Sequence, residues 1–172
     1  ELRQIEYAGS VVVSLGYRRD QIRHPLDGFG FVVPEIEGRP ILAGSFSSVK
    51  FPGRAPDECA LIRVFMGGAA QPHWVDAPED QLKSVAQQQL AELLGIQGAP
   101  QVVEVTRWRK RMPQYHLGHL DRVGRIEAAV NQHAGLALAG SAYRGVGIPD
   151  CIRSGESAAE RLLAENTSTS PA

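Results

Sequence analysis

No GxGxxG turn occurs anywhere in this chain. The glycine-rich grip that a strand–turn–helix places around a dinucleotide pyrophosphate is therefore not encoded here in its usual form. Cysteine is scarce: Cys59 and Cys151 stand alone, without CxxC spacing, so neither a zinc site nor a disulfide framework is signalled. A reduced, cytoplasmic setting fits this usage. Charge of one sign is not in excess, with 18 Lys+Arg against 19 Asp+Glu and a net charge of -1. No general electrostatic pull toward nucleic acid or an anionic membrane follows. The one basic run, Arg107 to Arg111, is short, as on a solvated strand edge or loop. No apolar run approaches the roughly 18 residues of a membrane span. No charged-then-apolar signal segment opens the chain, which starts at Glu1 and reads as an excised or processed piece. There is no internal repeat. Five histidines (His24, His73, His116, His119, His133) lack an acidic partner at ligand spacing, so no metal is expected. His116 and His119 are three apart, but Gly118 and Pro113 argue against a regular helix there.

The 172 residues and 43% hydrophobic content suffice for a real core. Apolar runs predict strands over 10–17, 29–33, 41–47 and 60–66, with a hairpin turn at Glu37-Gly38. Together they read as an antiparallel meander. The period then changes. Leu82, Val85, Ala86, Leu90 and Leu93 follow helical spacing, with Pro78, Glu79 and Asp80 suited to the first turn and Gly95 to the end. A strand follows at Val102, Val103 and Val105. A second helical stripe runs through Leu120, Val123, Ile126 and Val130. A short strand at 136–139 leads to a last helix carrying Ile152, Ala159, Leu162 and Leu163. Strands first, then helices alternating with strands, predict an α+β fold. The expected organisation is a sheet with one helix over 1–105, a terminal strand–turn–helix segment over 106–165, and a disordered polar tail over 166–172.

The segment Gly135 to Leu163 is the most informative part of what is present. A short apolar stretch enters the turn Gly145-Val-Gly-Ile148, and a helix opens at Pro149-Asp150. Glycines allow close backbone approach to a ligand, and a helix start leaves N–H groups free for polar or anionic atoms. An ordinary strand-to-helix connection would look the same on spacing alone.

Several segments in order carry a more specific signal. They are Pro25-Leu-Asp-Gly-Phe-Gly-Phe-Val-Val-Pro34, Phe46-Ser-Ser-Val-Lys-Phe-Pro-Gly-Arg-Ala-Pro56, Val64-Phe-Met-Gly-Gly68, Trp108, Met112-Pro-Gln-Tyr-His-Leu-Gly-His119 and Leu138 to Cys151. This set resembles the C-terminal part of protoporphyrinogen oxidases, FAD enzymes of the flavin amine oxidase type, over nearly the whole chain except the tail. The resemblance implies oxygen-dependent removal of hydrogen from a porphyrinogen, protoporphyrinogen IX, late in haem synthesis. It also implies an antiparallel substrate domain plus the closing half of an FAD site, without the N-terminal FAD domain that grips the ADP half. On its own the chain is then expected to be inactive. A coproporphyrinogen III oxidase of the same family, another flavin oxidase sharing the closing segment, and a non-catalytic porphyrin- or partner-binding module stand as alternatives. Full-length relatives leave room for a location at the membrane periphery, and surfaces facing absent parts leave room for self-association.

Carried over residue by residue, the resemblance places Val146, Gly147 and Ile148 against the flavin and Gly140 and Ser141 near its phosphate or ribityl region. Ser141 departs from the acidic residue common in such enzymes, which removes a charge but keeps a hydroxyl. Trp108 matches a segment beside the flavin; core packing is the other reading. Phe29, Val32 and Phe65 match positions lining the macrocycle pocket, although each would also serve as plain core. Strand alternation puts Phe29 and Phe31 on one face and Val32 on the other, so a twist or bulge is needed if all line one cavity. The porphyrin-carboxylate arginine of the family has no counterpart here, and nothing in the sequence alone promotes Arg39, Arg54 or Arg63 to that role. The catalytic base is unknown.

Overall fold

The computed structural model describes the backbone of residues 1–168 and side chains through Ala164. The chain divides into two compact units: Ala8–Arg111, and Glu1–Tyr7 together with the chain from Met112 onward. The crossing points fall at the start of the first strand and near the end of the fifth.

The Ala8–Arg111 unit is built on β1 (Tyr7–Arg18), β2 (Gly30–Val32), β3 (Ala43–Phe46), a single helical turn α1 (Ser47–Lys50), β4 (Cys59–Gly67), α2 (Glu79–Leu94) and β5 (Val102–Pro113). The strand order is β2-β3-β4-β1-β5. This corrects the expected meander: β1 pairs antiparallel with β4, from Ser10 opposite Gly67 to Arg18 opposite Cys59, and has no ladder with β2. The chain after β1 supplies the reason. The Arg19 guanidinium donates to the carbonyls of Ile22, His24 and Pro25 at 2.7, 2.9 and 3.0 Å. His24 N–H reaches Leu94 O at 3.0 Å, and Ile22 bridges Ile96. These bonds lead the chain to the end of α2 before β2 can form. The link from β2 to β3 is also no tight hairpin. It contains a 3₁₀ turn at Glu35–Glu37, closed by Gly38 at φ +60°.

One face of the sheet is the core. Val11, Val13, Leu15 and Tyr17 of β1 and Ala60, Ile62, Val64 and Met66 of β4 alternate inward. Against them α2 lays Leu82, Ala86, Leu90 and Leu94, an i, i+4 stripe. Each of these leucines, valines and isoleucines contributes about 1.5–3 kcal/mol when fully buried. Burial pushes the Tyr17 hydroxyl up to about 12. Gly95 ends α2 at φ +63°. Between β2 and β3, Gly44 leaves room for the Phe31 ring; a Cβ there would lie 2.4 Å from a ring carbon.

The second unit holds α3 (His119–Val130) and α4 (Ile148–Ser168). Val123 and Ile126 are buried as the stripe predicts, while Leu120 points to solvent. Residues 136–139 are not a strand, against expectation: they pair with no strand among the described residues, and an unpaired extended segment has no ladder to define it. Helix α4 runs to Ser168, three residues into the segment expected to be disordered; 169–172 lie outside the described residues. No helix among the described residues is long and apolar enough to cross a membrane. None of their His, Cys, Asp and Glu side chains group in threes as for a metal.

Candidate functional site: a sheet face and a glycine-rich turn

The second face of the sheet, opposite α2, gathers three residues singled out in the sequence. Register sets Val32 of β2 opposite Ala43 of β3, Ala43 opposite Phe65 of β4, and Phe65 opposite Val12 of β1. The result is an apolar row across four strands. Exposure rises along it, from buried Val12 through half-buried Ala43 and Phe65 to Val32 at 81%. Trp108 belongs to the same face of the sheet. It alternates along β5 with Val103 and Val105, which pack on the core, and with Arg107, whose guanidinium donates to the carbonyls of Val75 and Ala77 at 3.2 and 2.7 Å. The indole is 48% exposed, so core packing is not its role here.

Phe29 precedes β2 and is 67% exposed, whereas Phe31 turns into the core beside Phe46. Gly30 separates them with φ +145°, where a Cβ would meet Gly44 O at 2.1 Å. The backbone break at Gly30 interrupts the alternation that would have placed Phe29 beside Phe31.

A second row was not visible in the sequence. Ser45 lies opposite Arg63, and Arg63 opposite Ser14, one step from the apolar row on the same face. The Arg63 guanidinium carbon lies over the Phe65 ring, 5.5 Å from its centroid. Only the register of β4 reveals that Arg63 and Phe65 share a face with Val32.

In the other unit, the expected flavin-side residues lie on one connection from residue 136 into α4. Gly140 adopts φ +118°, and its N–H donates to Ser154 Oγ at 3.1 Å. Ser141 O accepts from the Tyr115 hydroxyl at 2.6 Å. Tyr115 in turn stacks on the buried His119 ring, centroids 3.9 Å apart, and His119 Nε2 donates to Tyr143 O at 2.8 Å. Arg144 is held by the Glu127 carboxylate of α3 at 2.6 and 2.9 Å. That arginine keeps the Glu127 carboxyl below its usual range. Burial raises the Tyr115 and Tyr143 hydroxyls. The Met112–Tyr115 turn and α3 thus clasp the glycine-rich segment through three contacts that spacing did not predict.

The turn itself is shaped by Asp150. Its carboxylate, paired with Arg153, folds under the loop, and a Cβ on Gly145 would lie 2.6 Å from it. Val146 is 62% and Ile148 77% exposed, and the N–H groups of Val146, Gly147 and Ile148 donate to no acceptor among the described residues. Consecutive N–H groups without a protein acceptor at a helix start fit the acceptor-rich edge of a flavin ring, although the Asp150 carboxylate also lies beside Gly147, 2.9 Å from where a Cβ would stand. A cleft of about 620 Å³ runs beside this segment, bordered by Gly140, Tyr143, Asp150 and Ser154.

Residues 1–163 match the family of flavin containing amine oxidoreductases, and the chain belongs to that family. Within it, the chain is a protoporphyrinogen oxidase-like member. It is 37% identical to coproporphyrinogen III oxidase of Propionibacterium freudenreichii over 94% of this chain and 30% of that protein. It is 32% identical to protoporphyrinogen oxidase 2, chloroplastic/mitochondrial, of Arabidopsis thaliana over 94% of this chain and 32% of that one. A solved putative protoporphyrinogen oxidase from Exiguobacterium sp. 255-15 superposes with a TM-score of 0.84 at 30% identity, covering 95% of this chain and 36% of that structure. Reduced UDP-galactopyranose mutase, at 10% identity and a TM-score of 0.53, shares the fold alone. The chain spans about a third of the length of the curated relatives it matches.

Proposed function

We propose that this chain forms the substrate face and the flavin-closing turn of an FAD-dependent porphyrinogen oxidase, and acts together with an N-terminal FAD-binding portion. The Ala8–Arg111 unit is the substrate-side sheet; the segment from Met112 onward closes over the flavin. The observation that carries this reading is the registered row Val32–Ala43–Phe65–Val12, with Trp108 on the same face. A porphyrinogen is a broad, mostly apolar ring, and a flat apolar row matches it better than a closed pocket would. Protoporphyrinogen IX and coproporphyrinogen III present the same ring to this row.

A bound flavin would supply the hydride acceptor for the ring's oxidation. The chain's own contribution is binding and positioning. Val32 and Phe65 offer the ring its apolar surface, and Trp108 extends that surface. Val146, Gly147 and Ile148 offer backbone N–H groups that stabilise charge on an acceptor-rich ring edge. Ser141 offers a neutral hydroxyl where an acidic side chain would repel an anion. Alone, the chain holds only the closing half of the cofactor site and is inactive.

Binding of a porphyrin, the stable oxidised form of the ring, tests the substrate face. Val32→Asp places a charge on the exposed end of the row. We expect it to weaken porphyrin binding about tenfold, read by porphyrin fluorescence, through the cost of desolvating the carboxylate. Because Val32 is 81% exposed, the melting temperature stays unchanged. Unchanged porphyrin affinity in a folded Val32→Asp protein contradicts the assignment of this face.

A further inference from the structure

We infer that Arg63 is a carboxylate anchor on the substrate face, one that favours macrocycles with more carboxylate arms. This deepens the proposed function and rests on its reading of the sheet face. Arg63 lies at the centre of the sheet, on β4, between Ser45 and Ser14 in direct register. Direct cross-strand neighbours bring their Cβ atoms to about 4.5–5.5 Å, within reach of one ligand group. The guanidinium lies 5.5 Å from the Phe65 ring centroid, within cation–π range. It makes no ion pair or hydrogen bond among the described residues. Several other arginines of the same unit are engaged, Arg39 with Glu92 at 2.9 Å, Arg109 with Asp76 at 3.1 Å, Arg19 and Arg107 with backbone carbonyls, and Arg54, over the Phe51 ring at 5.6 Å, is not on β4.

An unpaired, partly buried cation beside an apolar row calls for an anionic ligand group. A planar fork of N–H donors matches a carboxylate in two-point geometry, and two flanking hydroxyls add donors to the same oxygens. Arg63 and Phe65 are two residues apart on one face, about 7 Å along the strand. A ring seated on the Phe65 row therefore carries its peripheral arms, not its centre, to Arg63. A macrocycle with an acidic arm on every pyrrole meets Arg63 in each in-plane orientation. One with arms on a single edge meets it in only some. The cation thus acts as a specificity-determining residue.

Affinities of the chain for coproporphyrin III, with four carboxylates, and mesoporphyrin IX, with two, test this by fluorescence titration in wild type, Arg63→Met and Arg63→Lys. Arg63→Met is expected to weaken the four-carboxylate porphyrin about tenfold and the two-carboxylate one less than about threefold, while Arg63→Lys retains most of the preference. Equal losses for both porphyrins, or no loss for either, overturn the role of Arg63. If Arg63→Met fails to fold, salt titration of the wild type replaces it: the four-carboxylate advantage must shrink as ionic strength rises, and a salt-independent advantage overturns the proposal. Val32→Asp separates the two readings. If it weakens both porphyrins while Arg63→Met leaves the preference intact, only the anchor fails. If wild type binds neither porphyrin, the substrate face fails and the anchor with it.

Discussion

At Gly44 side-chain size directly limits the substrate-side sheet. Phe31 must turn inward for Val32 to face outward, and its ring occupies the space over Gly44. Gly44→Ala would drive a methyl into that ring. We expect a loss of about 1–3 kcal/mol in unfolding free energy, as for overpacked cores. Gly28→Ala, where a Cβ meets nothing within 4 Å, serves as the control and should change little. Denaturant melts of both variants check this; equal stability of the two would show that the Phe31 ring relaxes freely. The same logic explains why Phe29 escaped the alternation read from sequence. At Gly30 the backbone takes φ +145°, which a side chain would resist, so Phe29 and Phe31 need not share a face.

Among the elements, those decided by local chemistry were legible. Helix α2 has its acidic first turn, its apolar stripe and its left-handed Gly95 where the residues said it would. β4 covers the apolar run read as a strand over 60–66. What was not legible depends on pairing at long range. No local signal puts β1 beside β4, because that choice is made by the Arg19 contacts and by the docking of 22–26 near the end of α2. The segment 136–139 has strand-like residues but no ladder, and composition cannot report a missing neighbour. For the site, Val32, Phe65 and Trp108 were named individually, but their common face emerges only from register. Arg63 needed that register too. The clasp on the glycine-rich segment joins residues 17 to 26 positions apart, beyond any local motif.

That clasp is pH-dependent in a defined direction. Arg144 lowers the Glu127 carboxyl in the folded chain relative to the unfolded one. The contact therefore stabilises the segment above the ordinary carboxylate range and is lost as pH falls through the lowered value. Hydrogen exchange of residues 140–147 should quicken, relative to the rest of the unit, as pH drops below the ordinary glutamate range, after correction for intrinsic rates. Glu127→Gln should remove that step and leave the segment loosened at neutral pH. A step that persists in Glu127→Gln would assign the effect to another group.

For the whole molecule, the two units carry complementary tasks in the proposed enzyme. One presents a flat apolar face with an embedded cation, the other a turn with unpaired N–H groups. Neither contains a GxGxxG grip, and the curated relatives are about three times longer. The chain belongs to the flavin containing amine oxidoreductases, and the division of labour proposed within it is open to direct test. The most direct measurement is the visible absorption spectrum of the purified chain, alone and after co-expression with the part of the Propionibacterium freudenreichii relative that this chain does not cover. The account predicts no flavin band from the chain alone and a stoichiometric band from the combination, with porphyrinogen oxidation restored. A stoichiometric flavin band from the chain alone, or none from the combination, would contradict it.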